Sequence, residues 1–241
     1  LGDNLKRFFL LLGFVFSFFL FFGCCVKTVK IDSARTDYQF DVVEHVENST
    51  VRITYTAFLG DAKCSGVWIN DYDIMTARHC VEYINGLIKP GDYIYFSTYE
   101  DWKNDKSDET DRRLATISYI SSKTDLAIIS SLENVSHSIA KLGSATPISL
   151  QVHIVGHTAG YPWTYQTGII SGSAVMRGWR VMHVTSLVWF GNSGGGAFNS
   201  EGSLLGISSM VRDDVPGMSF FIPASSIKEF LKSNNVKYYS E

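Results

Sequence analysis

Ser193 lies in the run Gly191-Asn192-Ser193-Gly194-Gly195. Glycines on both sides permit a tight turn that exposes the hydroxyl and frees backbone N–H groups, an arrangement suited to nucleophilic chemistry with charge stabilisation. A serine hydroxyl is a weak nucleophile and needs a base within hydrogen-bond reach. Two further residues stand in distinctive contexts. His79 follows Thr76-Ala77-Arg78 and precedes Cys80, and Asp125 opens the apolar run Leu126-Ala127-Ile128-Ile129. Taken singly, each has a plainer reading: a histidine after a strand is commonly structural, an aspartate before an apolar strand caps a turn, and a glycine-rich run can be a turn alone. His45, His137, His153, His157 and His183 show no partner pattern and read as satisfied or solvent-exposed side chains.

Residues so far apart need a framework to bring them together. Short apolar stretches alternate with turn residues in the manner of an all-β chain. Val51 to Phe58 alternates apolar against polar side chains, and Cys64–Asn70, Asp73–Ala77, Tyr93–Thr98, Leu114–Ile120 and Asp125–Ile129 give five more strands. The connector Ser131–Pro147 has no strong periodicity. Beyond it come Gln151–Gly156, Thr164–Ser171, Ser173–Met176, Arg180–Thr185, Gly195–Phe198 and Leu204–Met210, with Met218–Pro223 closing the set. In the tail, Ile227, Phe230 and Leu231 have helical spacing behind a Ser225 or Ser226 cap. Strands at this density predict two packed barrels, spanning about 47–130 and 148–223, and a C-terminal helix at about 225–233. The stretch Glu100–Arg113, with six acids and four bases, reads as a solvated hairpin loop.

The chain has 241 residues, 45% hydrophobic and 19% charged, which is the balance of a globular protein and excludes disorder. A net charge of −3 argues against non-specific nucleic-acid binding, which needs basic surface. Residues 1–26 differ from the rest: Lys6 and Arg7 precede a 19-residue weakly polar or apolar run, Phe8–Val26. This pattern predicts export, with the leader retained as a membrane anchor, cleaved, or processed as a lipoprotein signal at Cys24 or Cys25. Residues 27–46 read as a polar tether to a domain at 47–241. With the leader set aside, Cys64 and Cys80 remain; in an oxidising compartment they can pair, and two ligands alone make a poor metal site.

Considered together, the three stretches resemble the trypsin-like, chymotrypsin-fold serine proteases. The order His, Asp, Ser is that family's order. Thr76-Ala77-Arg78-His79-Cys80 is similar to its Thr-Ala-Ala-His-Cys, Asp125-Leu126-Ala127 to its Asp-Leu/Ile-Ala, and Gly191–Gly195 to its nucleophile loop. Thr167–Ser171, Leu205–Ile207 and Phe220–Pro223 resemble second-barrel strands of bacterial branches. The resemblance covers about residues 48–232 and implies an all-β fold of two six-stranded antiparallel barrels with a short C-terminal helix. It implies a serine endopeptidase acting on protein or peptide substrates without cofactor or metal. Ser193 would be the nucleophile, His79 the base and Asp125 its orienting partner, with the N–H groups of Gly191 and Ser193 as oxyanion hole. A Cys64–Cys80 disulfide would brace the histidine.

Departures from the family pattern carry expectations of their own. Asn192 stands where digestive members have the Asp that receives a new N-terminal amine, and a neutral amide cannot form that ion pair. Maturation by N-terminal insertion is therefore not expected, and the chain sits nearer the HtrA-like and glutamyl-endopeptidase-like branches. Arg78 replaces a small residue, and Gly196 stands where Pro is common. The family's pocket position maps to Leu187, with Ser208, Val211 and Ser219 on the walls, which implies a small or medium apolar substrate side chain. The 48 residues after Ser193 suffice to finish the second barrel and its helix but not for a further, PDZ domain. The alternative is a catalytically weak binding or quality-control protein on the same fold.

Overall fold

A computed structural model describes residues 33–57, 60–82, 89–104, 112–211 and 217–241. The leader, with Cys24 and Cys25, lies outside the described residues. Among those described, no helix is long and apolar enough to cross a membrane.

The first element is a helix, α1 (Ser33–Asn48), where composition suggested a polar tether. Val42 and Val46, four residues apart on one helix face, are buried in the main core, and this pair turns the end of the tether into part of the domain. Six antiparallel strands follow: β1 (Thr50–Ala57), β2 (Gly60–Trp68), β3 (Asp73–Thr76), β4 (Tyr93–Thr98), β5 (Arg113–Ile120) and β6 (Ala127–Ser131). They close into a barrel in the order β1-β2-β3-β6-β5-β4. A one-turn helix, α2 (His79–Glu82), follows β3, and α3 (Tyr99–Asn104) follows β4.

The second barrel comprises β7 (Gln151–Gly156), β8 (Thr164–Met176), β9 (Trp179–Thr185), β10 (Gly196–Phe198), β11 (Leu204–Val211) and β12 (Met218–Pro223). It closes in the order β10-β11-β12-β9-β8-β7, and α4 (Ala224–Ser233) follows β12. Seven candidate strands thus become six. Thr164–Ser171 and Ser173–Met176 are one strand of 13 residues, because the Ser171-Gly172 pair makes a bulge rather than a turn.

Period-two alternation divides the apolar residues among three cores. On β6 and the residue before it, Leu126 and Ile128 face the cluster shared by the barrels, while Ala127 and Ile129 fill the first barrel. On β12, Phe220 and Ile222 face the shared cluster and Phe221 the second barrel. Ile227, Phe230 and Leu231 bring α4 onto the shared cluster by their helical spacing. Continuous apolar runs are what strands buried on both faces require, and the shared cluster packs the two barrels against each other.

The charged stretch is not wholly a solvated loop. Asp101, in α3, is buried and accepts from Arg113 through both oxygens, at 2.6 and 2.8 Å, and from the Thr98 N–H at 2.9 Å. Burial pushes the Asp101 carboxyl up, but the hydrogen bonds from Arg113 and Thr98 outweigh it and hold the pKa below its ordinary value. A carboxyl depressed on folding stabilises above its unfolded pKa, near 4, and loses that contribution as pH falls through its folded value. Arg113→Ala should therefore cost about 1–3 kcal/mol at pH 7 by urea unfolding, as expected for a charge-assisted bond lost beside a buried group. The deficit should shrink below pH 4, and an equal deficit at both pH values would disprove the assignment.

Candidate active site

The histidine is positioned by the end of β3 and the turn that starts α2. Its backbone N–H donates to Asp125 Oδ1 at 3.0 Å, and its ring Nδ1 lies 2.8 Å from Asp125 Oδ2. Asp125 precedes β6, the strand that pairs with β3, so adjacent strands deliver both residues. The carboxylate is nearly buried and takes a third bond, from Ser209 Oγ at 2.5 Å. Burial pushes the Asp125 pKa up, but the bonds from His79 and Ser209 and the attraction of the imidazole hold it below its ordinary value. The group is therefore an acceptor at neutral pH.

Ser209 was not legible in the sequence. The β11–β12 register shifts between Ser208 and Met210, so Ser209 is the extra residue of a bulge, re-aimed at Asp125 across the barrel boundary. Arg78, unexplained by the family pattern, also has a role here. Its Nη1 donates to Ser121 O at 3.1 Å and its Nε lies 3.1 Å from Glu82 Oε2. Arg78 thus ties the His79 turn to the loop that leads into Asp125.

Ser193 shares one cleft of about 840 Å³ with His79, Asp125, Gly191, Ser208 and Ser209. The turn that carries it is set by close backbone approach. Gly191 has φ +96°, and a Cβ there would lie 2.0 Å from His157 O; Gly194 has φ +85°, and a Cβ would lie 2.0 Å from Ser65 O. Phe190 O accepts from the Ala159 N–H at 2.7 Å. Because C=O and N–H point oppositely across a trans peptide, this turns the Gly191 N–H away from Ala159. Among the described residues, the N–H groups of Gly191 and Ser193 have no protein acceptor.

Cys64 and Cys80 form a disulfide with Cα atoms 6.0 Å apart. Their sulfurs and a His79 ring nitrogen lie within 4.8 Å of one another, but the bonded sulfurs offer no thiolate to a metal.

The structure places the four substrate-pocket candidates differently from one another. Ser208 lines the cleft, but Leu187 is 74% exposed and does not. The inward positions of this extended segment are Ser186 and Val188, so the residue between them points out. Val188, Trp189, Phe190, Met210 and Trp179 supply the apolar lining instead. Ser219 is buried and donates to Ser186 O at 3.1 Å, bracing the wall from behind rather than facing the cleft. The Val211 side chain lies outside the described residues.

Comparison with known proteins agrees with this architecture. The human serine protease HTRA4 is 27% identical over an alignment of 129 residues that covers 48% of this chain and 26% of that relative. The chain thus spans about a quarter of the length of the curated relative. Among solved structures, the active form of the Rv3671c protease from M. tuberculosis superposes with a TM-score of 0.68 at 17% identity, covering 87% of this chain and 90% of that one. The serine endoprotease from Yersinia pestis gives 0.63 at 20% identity, covering 81% and 65%. Likeness at these identities is one of fold. The family model for the trypsin-like peptidase domain matches residues 64–207, from the cysteine of the brace to the strand behind the serine turn, and the chain belongs to that family.

Proposed function

We propose that the chain is a serine endopeptidase that hydrolyses peptide bonds through an acyl-enzyme. The observation that carries this reading is the His79–Asp125 pair at 2.8 Å beside Ser193 in one cleft, with two N–H groups on the serine turn that have no acceptor among the described residues. Asp125, accepting through Oδ2, holds the proton on His79 Nδ1 and leaves Nε2 to take the Ser193 proton as Oγ adds to the carbonyl carbon. The N–H groups of Gly191 and Ser193 stabilise the oxyanion. The C–N bond then breaks as the imidazolium protonates the leaving amine. Water, deprotonated by the same imidazole, adds to the ester, and the C–Oγ bond breaks as the imidazolium returns the proton to Ser193 Oγ and the acid leaves.

Val188, Trp189, Phe190 and Met210 favour an apolar substrate side chain. The Cys64–Cys80 bridge supports an oxidising compartment, and with the positive-then-apolar leader it favours an exported protein held at a membrane by residues 1–26.

A fluorophosphonate probe and an apolar peptide amide test the assignment together. Wild type should take the probe at Ser193 and cleave the peptide, and Ser193→Ala should do neither. Labelling that survives in Ser193→Ala, or a folded wild type inert to both reagents, would overturn it.

A further inference from the structure

The serine turn is fastened from behind at successive points. Phe190 O is held by the Ala159 N–H at 2.7 Å, Gly191 O by Ser65 Oγ at 2.8 Å, and Ser193 O by the Ser65 N–H at 2.7 Å. Between them, Asn192 Nδ2 donates to Thr158 Oγ1, which also accepts from Gln166 Nε2 at 2.8 Å. The amide that cannot pair with a new N-terminus is therefore anchored internally, by the turn that follows β7.

Behind Ser65 stands His157, with Nδ1 2.9 Å from Ser65 Oγ. The ring is fully buried and does not line the cleft, so it touches no substrate. A hydroxyl has one proton, and the Gly191 carbonyl can only accept, so that proton goes to Gly191 O. Nδ1 must then carry hydrogen and donate to Ser65 Oγ. Nε2, with no hydrogen-bond partner among the described residues, is left as a bare acceptor. Burial, then the nearby charges of Arg52 and Lys63, pushes the His157 pKa well down, in keeping with a neutral ring holding a single proton.

We propose that His157 is a positioning residue for hydrolysis at Ser193, acting through the Ser65 hydroxyl on the Gly191 carbonyl to keep the oxyanion turn in its competent shape. The inference rests on the peptidase reading and deepens it: the turn is preorganised by this chain's own buried relay, with no cleavage step needed to order it. Its loss should appear in the transition state rather than in substrate binding.

Three variants test the relay. Ser65→Ala removes the linking hydroxyl. His157→Leu removes the donor at similar volume. His157→Asn keeps an N–H donor close to where Nδ1 lies. Ser65→Ala and His157→Leu should each lower kcat about tenfold with little change in KM, a part of the 10²–10³ that outright loss of an oxyanion donor costs. The double variant should be no worse than Ser65→Ala, and His157→Asn should recover most of the rate. Amide hydrogen exchange across residues 187–194 should quicken in Ser65→Ala, a readout that needs no turnover. Unchanged kcat and exchange in Ser65→Ala would overturn the proposal, as would His157→Asn performing no better than His157→Leu. If His157→Leu fails to fold, Ser65→Ala decides alone. A wild type that resists the fluorophosphonate sinks the peptidase reading instead, and the exchange comparison still judges the relay.

Discussion

Asp125→Asn is expected to lower kcat about 10⁴-fold while KM stays near its original value. The cause is the direction of three hydrogen bonds. Oδ1 accepts from the His79 backbone N–H, a donor that cannot change its character, so the amide oxygen of an asparagine must occupy that position. Its NH₂ then falls at the Oδ2 site, facing His79 Nδ1 and Ser209 Oγ. The Ser209 hydroxyl can rotate to accept. The imidazole can accept only by moving its proton to Nε2, the nitrogen that must take the proton of Ser193. A ring held in that tautomer has no free base on the side of the nucleophile. The cleft is untouched, so substrate should bind as before. Steady-state kinetics on an apolar peptide amide, with circular dichroism to show the fold intact, make the measurement. A folded variant within tenfold of wild type would remove Asp125 from the mechanism.

Ser209 apart, that argument uses residues whose roles the sequence already suggested. The reason is local: Gly191–Gly195 and Thr76–Cys80 are short stretches in which turn geometry and chemistry fall on neighbouring residues. The double-barrel plan was legible for a similar reason, since strands buried on both faces leave apolar runs such as Phe220-Phe221-Ile222 between turn residues. Features that depend on distant register were not legible. Ser209 reaches Asp125 through a β11 bulge that no residue type announces, and a comparable bulge at Ser171 hid the continuity of β8. The family's pocket position maps to Leu187, whereas alternation in the extended chain gives the cleft to Val188. His157 had no partner in its own stretch because Ser65 is 92 residues away. The helix at Ser33–Asn48 was not legible because its buried face is marked, among the described side chains, by Val42 and Val46 alone within a polar segment.

The second large effect concerns stability. Replacing both Cys64 and Cys80 by Ala should cost about 3 kcal/mol, the loop-closure entropy that a cross-link of this span removes from the unfolded chain. The bridge joins residues 16 apart and ties β2 to α2, with both cysteines buried in the first-barrel core beside Ile53, Ala77 and Val81. For a folded part of this size the loss corresponds to about 6–12 °C in Tm. Activity at 25 °C should fall much less, within about fivefold, because the bridge is not what aims the imidazole. Two bonds from His79 to Asp125 do that, and Arg78 separately ties the His79 turn to Ser121 O. Thermal unfolding and peptide cleavage on the same double variant separate the two effects. A Tm unchanged within 2 °C would mean that packing alone holds the turn. A folded double variant that has lost its activity would mean that the bridge sets catalytic geometry, and the division between brace and aiming residues drawn here would be wrong.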